Sequence, residues 1–199
     1  MTSESLFVLP FAAQDLCHLE DGYLRRTTGS KQSLKTADEI VLKVGRKIRE
    51  GECTKSNLKK IFQCKNEDSR FWKKLEADFD SNPCERIATT LALADKAKSE
   101  AEAVGALIKL SGVGVPTASA ILMAIYPERY TVIDQLALRA LGISNQEIAF
   151  YVLYNAACRD LAREHGVCLR TLDRALWEYG KRHPPKRRTR NGSSYATPT

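Results

Sequence analysis

The chain has 199 residues and a net charge of +7, from 31 Lys and Arg against 24 Asp and Glu. At this length one domain, or two tightly packed helical halves, is the default, since a domain takes roughly 100–200 residues. Apolar residues make up 43 % and charged residues 28 %, enough to bury a core, and no apolar run reaches the ~18 residues of a membrane helix. The first residues are apolar in part (Leu6, Phe7, Val8, Leu9, Phe11), but Glu4 stands where a secretory leader carries basic residues. The chain is therefore expected to be cytoplasmic and unprocessed. Six basic residues from Lys181 onward (Lys181, Arg182, Lys186, Arg187, Arg188, Arg190) meet no acidic one. The excess charge thus belongs to a tail, which either contacts phosphates or is a solvated end.

Helical signals dominate in chain order. Three capping boxes, Thr36…Glu39, Ser99…Glu102 and Ser144…Glu147, each offer a hydroxyl to the N3 amide and a carboxylate to the cap amide. The first opens a helix to about Glu50, with Ile40, Val41, Val44 and Ile48 on one face and Gly51 as its stop. Short lysine-rich pieces follow at about Ser56–Cys64 and Asp68–Phe79, then a helix from about Pro83 to Lys98. Its Ile87, Leu91, Ala94 and Ala97 recur at helical spacing. The third box opens a long helix, about Asn145–His165, ended by Gly166. The last, about Leu169–Lys181, carries Leu169, Leu172, Leu176 and Tyr179 and stops at Pro184-Pro185. No segment alternates as a strand does, and Asn191–Thr199 has the composition of a disordered end.

The most informative stretch is Ala106–Gly142. A helix ends at Leu110, Ser111-Gly112-Val113-Gly114 turns, and a second helix starts near Pro116. Two glycines permit positive φ and close backbone approach, and the following helix start offers unpaired N–H groups to a phosphate. Val113 is expected to plug into the helix pair, and Ala118, Ala120 and Ala124 to let the paired helix come near. An ordinary αα-hairpin with a glycine turn is the competing reading.

The longer pattern is L-S-G-V-G-x-x-T-A-S-A-I-L, then Asp134, then Arg139. It resembles the helix-hairpin-helix DNA glycosylases of the endonuclease III superfamily, whose signature reads L-P-G-V-G-x-K-T-A with an aspartate just before a later helix. The match covers about a fifth of the chain. The resemblance implies that Gly112, Val113, Gly114 and Thr117 hold a DNA phosphate. It further implies that main-chain carbonyls near Ile108, Leu110 and Val113 hold a monovalent cation such as potassium, and that Asp134 is the catalytic carboxylate. A carboxylate there stabilises the positive charge that builds on deoxyribose when an N-glycosidic bond breaks, or activates water. Asp134 also reads as a plain N-cap, and the two roles are compatible. The family's Schiff-base lysine falls on Pro116, which has no amine, so a lyase step through this position is excluded. The run Gln-Leu-Ala-Leu-Arg after Asp134 looks like the alkylpurine branch. Only Cys158 and Cys168 follow the catalytic segment, so no iron–sulfur cluster is expected. The six scattered cysteines read instead as small core residues.

Lys55, Lys59, Lys60 and Lys65, near Phe62, Phe71 and Trp72, line a DNA groove on one reading and form a solvated face with core aromatics behind it on the other. Trp177 and Tyr179 read as core, and Arg170 and Asp173 as an ordinary i,i+3 pair. Tyr126 and Tyr130 bracket a loop that borders the active-site mouth in a glycosylase fold, and Arg139 either faces DNA or pairs within the bundle.

The expectation is an all-α bundle of about nine or ten helices over residues 1–183, with a basic disordered tail at 184–199. It is a monomeric, monofunctional glycosylase on double-stranded DNA, without organic cofactor or membrane contact. Its target is a damaged base of the host or a modified base of foreign DNA. The competing classes are a non-catalytic DNA-binding module and a helical interaction protein that binds no nucleic acid.

Overall fold

The computed structural model describes residues 6–27, 33–66 and 69–184, so the basic tail lies almost wholly outside the described residues. The described chain is all-helical: a short 3-10 turn (Ala13–Asp15) and ten α-helices, with no strand. The helices are α1 (Leu16–Leu24), α2 (Leu34–Arg49), α3 (Lys55–Asn66), α4 (Trp72–Asp80), α5 (Cys84–Asp95), α6 (Glu100–Leu107), α7 (Val115–Ile125), α8 (Gln135–Ala140), α9 (Ile148–Glu164) and α10 (Leu169–Arg182). Among the described residues no helix is long and apolar enough to cross a membrane.

The core is organised around α7. Every residue from Thr117 to Ile125 is buried, as befits a helix apolar on all sides. Helix α2 reaches α7 because position 45 is glycine: a Cβ there would stand 1.8 Å from the Ala124 carbonyl oxygen. Helix α10 reaches α8 in the same way, a Cβ at Gly180 standing 1.9 Å from the Leu136 carbonyl oxygen. Phe62 stacks on Phe79 at 4.4 Å beneath α4, and α1 lies along α10.

Several sequence expectations change in detail. Ser33, in extended conformation, caps α2 by accepting from the Thr36 amide, so the Thr36 box does not form and the helix begins earlier. The Ser144 box also fails: Asn145 accepts from the Glu147 amide in a short turn, and α9 begins only at Ile148. The Ser99 box does cap α6, with the Glu102 carboxylate reaching the Lys98 amide. Pro83 is the cap of α5 rather than its first residue, and α5 ends at Asp95. Helix α1 has no counterpart in the sequence reading. Of the six cysteines only Cys158 is buried; Cys17, Cys84 and Cys168 are exposed, and Cys168 caps α10 through its sulfur. The pair Arg170–Asp173 is not an exposed helix pair but part of a buried network, and Trp177 is only half-buried.

Candidate functional site

The α6–α7 turn is built from the outside. Asn82, almost fully buried, accepts from the Ser111 amide at 2.9 Å and donates to the Ser111 carbonyl at 3.0 Å. Gly112 takes φ +78, and a Cβ there would press on the α4 backbone at Leu75. Gly114, by contrast, is extended and caps α7, so only one of the two glycines uses left-handed backbone. Val113 is buried as a plug, and Pro116 lies in the first turn of α7. The carbonyl of Leu110 accepts from Val113, Arg86 takes that of Lys109, and those of Ile108 and Val113 have no hydrogen-bond partner among the described residues. Main-chain oxygens therefore remain for a cation at Ile108 and Val113, with the second lone pair of Leu110.

Asp134 is reached through an extended segment whose backbone is satisfied by side chains instead of a sheet. Asn155 accepts from the Thr131 amide, Tyr151 donates to the Thr131 carbonyl, and Ser119 of α7 accepts from the Ile133 amide. This anchors the β-branched run rigidly and delivers Asp134 to the start of α8. There its Oδ1 accepts from the Leu136 amide at 2.8 Å, and its Oδ2 takes the Nζ of Lys65 from the end of α3. The neighbouring Asn66 contacts Thr117 of α7 at 3.4 Å, so the end of α3 ties the hairpin's second helix to the carboxylate. Burial alone would push the Asp134 carboxyl up, but the Lys65 ammonium and the Leu136 amide override it and hold it below the usual carboxylate range. The group is ionised at neutral pH.

Asp134 and Lys65 line a cavity of about 840 Å³. Its walls come from α2, α3, α7, α8 and α10, and its floor is charged: Asp38, Arg170 and Asp173 sit beside Tyr23. Arg170 bridges Asp38 (2.5 Å) and Asp173, and Arg174 bridges Asp38 (2.8 Å) and Glu20 (2.5 Å). At the rim stand two cation–aromatic pairs, Arg70 over Phe71 at 4.6 Å and Lys181 over Trp177 at 5.9 Å, with Phe71 55 % exposed. Such pairs suit a nucleobase and its phosphate together.

Of the residues the sequence offered for DNA contact or catalysis, the structure brings Asp134, Lys65 and Phe71 together in this cavity, beside Arg170, Asp173 and Trp177, which the sequence offered only as structural residues. Tyr126 is bonded to Asp95 of α5, Tyr130 is buried under Arg129, and Arg139 is half-buried with no ion pair among the described residues. Thr117 is buried under Asn66, and Gly114 is exposed. Lys55 and Lys59 are tied to Asp80 and Lys60 is solvated, which separates them from Lys65. Sequence reasoning missed Asp38, Tyr23, Asp173 and Arg170 as cavity residues. The available signal was a charged set, Arg170, Asp173 and Arg174, interleaved with Leu169, Leu172 and Leu176 on one helix.

Compared with family models, with curated proteins and with solved structures, the chain finds a match in none of the three. Fold and site together define, among the described residues, an all-helical protein with a cavity lined by charged side chains beside a glycine-turned helix pair.

Proposed function

We propose that this chain is a helix-hairpin-helix DNA glycosylase that hydrolyses the N-glycosidic bond of a base turned out of double-stranded DNA. The observation that carries the reading is an ionised carboxylate, Asp134, on the wall of a cavity of about 840 Å³. That volume falls in the range of about 300–1,000 Å³ typical of small-molecule sites. Extruding the nucleotide places its base among Phe71, Trp177 and Tyr23. As the bond to C1′ breaks, Asp134 stabilises the cationic sugar and accepts a proton from the attacking water. The open amides at Gly112 and Gly114 and the first turn of α7 hold a backbone phosphate, and the carbonyls of Ile108, Leu110 and Val113 are the place for a monovalent cation. Pro116 contributes no amine, so hydrolysis without strand cleavage is the expected chemistry.

Wild type and Asp134→Asn are compared on duplexes carrying damaged or modified bases, with alkali revealing abasic sites. Wild type is expected to give alkali-dependent breaks on one of them, and Asp134→Asn to lose about 10²–10⁴-fold in rate while still binding. One observation favours a non-catalytic module instead: both oxygens of Asp134 already have partners, as a structural cap requires. Binding by both proteins with cleavage by neither decides for that module. Breaks appearing without alkali would assign Lys65, the amine at this carboxylate, a lyase role.

A pH test separates catalysis from capping. Because Asp134 is held low, wild-type activity should persist until the pH falls below the usual carboxylate range. In Lys65→Met burial prevails, the carboxyl titrates higher, and the acid limb of the rate profile moves up in pH. An unmoved limb would remove Asp134 from the reaction.

A further inference from the structure

The cavity holds a second carboxyl that hydrolysis by Asp134 leaves unused. Asp173 on α10 is 2 % exposed, yet lines the same cavity. Its network is one positive charge short: Glu20, Asp38 and Asp173 share two guanidiniums, Arg170 and Arg174. The donors are also unequally divided. Asp38 takes Tyr23, Arg170 and Arg174, whereas Asp173 takes Arg170 alone, through Oδ2. Its Oδ1 has no hydrogen-bond partner among the described residues. A proton on that oxygen balances the network and leaves the carboxyl with a donor that no described residue takes up.

We propose that Asp173 carries this proton and delivers it to a ring nitrogen of the departing base, acting as the general acid opposite Asp134. The step rests on the glycosylase reading and names its substrate class: a base that is neutral in DNA and needs protonation to leave. The C1′–N bond breaks with its electron pair going to the base. The Asp173 O–H bond breaks and the proton goes to the base's ring nitrogen. Water bonds to C1′ and gives a proton to Asp134, which returns it through solvent to Asp173. One water is consumed, a neutral base and an abasic sugar are formed, and both carboxyls are restored. Two carboxyls held in opposite protonation states are the arrangement acid–base hydrolysis requires.

The charged and titratable groups around Asp173 agree with this division. Tyr23 faces it from α1, Asp38 from α2, Lys65 from α3, Asp134 from the start of α8, and Arg170 from its own helix; Lys181 lines the same cavity, and Glu20 and Arg174 join the network through Asp38. Tyr151, Tyr154 and Cys158 of α9 are pushed up by burial and stay uncharged. Burial raises the Asp173 carboxyl, Arg170 opposes, and the charges of Asp38 and Asp134 add to the rise.

The proton is read directly, without substrate, by pH-difference infrared spectroscopy of wild type and Asp173→Asn. A protonated-carboxyl band at neutral pH, absent from Asp173→Asn, is expected; its absence from wild type overturns the proposal. Asp173→Glu, which keeps the carboxyl, guards against a folding defect and should keep the band. On the duplex that wild type cuts, Asp173→Asn is expected to lose about 10²-fold in rate and the alkaline limb of the profile, with Asp173→Glu restoring part of both. An unchanged rate in Asp173→Asn overturns the acid role. If wild type cuts no duplex, the glycosylase reading and the acid role fall together, while the infrared band still reports whether the proton is there.

Discussion

Arg170→Met is expected to lower stability by about 3–5 kcal/mol at neutral pH, the usual cost of breaking a buried ion pair from one side. Arg170 stands between Asp38 and Asp173 and lies over the Tyr23 ring at 5.6 Å. Without it Asp38 keeps Arg174, but Asp173 keeps no cation. The pH dependence follows from the two carboxyls. Asp38 is pushed up by burial but held below its ordinary range by Arg170 and Arg174, so its contribution exists above the usual carboxylate pKa and is lost as pH falls. Asp173 is raised by burial, so its folded form binds a proton that the unfolded chain has released, and its ionisation costs stability as pH rises. The loss in Arg170→Met should therefore be larger at about pH 7.5 than at about pH 5. Adding Asp173→Asn should recover part of it, because an asparagine needs no proton to stay neutral in the folded chain. Urea unfolding of the three proteins at both pH values measures this; equal losses at both would mean that Arg170 does not set the protonation of Asp173.

Gly180→Ala is expected to cost about 1–3 kcal/mol in spite of alanine's better helix propensity. The new methyl meets the Leu136 carbonyl oxygen, a backbone atom that no rotamer change can move aside. Helices α10 and α8 must part, and Asp134 caps α8, so the displacement reaches the cavity wall. Gly105→Ala is the opposite case. It lies in α6, nothing stands within 4 Å of its Cβ position, and it should gain about 0.5–1 kcal/mol. Thermal melts of both variants test the pair: if both gained, the close approach of α10 to α8 would carry no cost.

The sequence made the helices legible where apolar spacing and punctuation agreed, as in α7 between its glycine turn and the Tyr126 loop, and in α10 before Pro184. Asp134 was legible as a cap because a single carboxylate preceding a short helix has few other local uses. What local pattern could not rank was competition between neighbours: Ser33 lies three residues before Thr36 and wins the cap of α2, and Asn145 settles the turn that Ser144 was expected to govern. Helix α1 escaped because nine residues hold only Leu16, Leu19 and Tyr23 as buried markers. The cavity was the least legible part. Lys65 and Asp134 are 69 residues apart, and Arg170 and Asp38 are 132 apart. Nothing in local periodicity records which charge will meet which across such separations.

That long reach bears on when the protein becomes complete. One wall of the cavity is α10, which follows the other helices of the described residues, and its partners Glu20 and Asp38 lie 154 and 132 residues before the arginines that hold them. During synthesis these carboxylates wait for their guanidiniums until α10 emerges, so α1 and α2 are held only weakly in the meantime. Ribosome-bound chains halted before α10 should accordingly be cut by protease within α1 and α2, and the same bonds should become resistant once Arg170 and Arg174 are released.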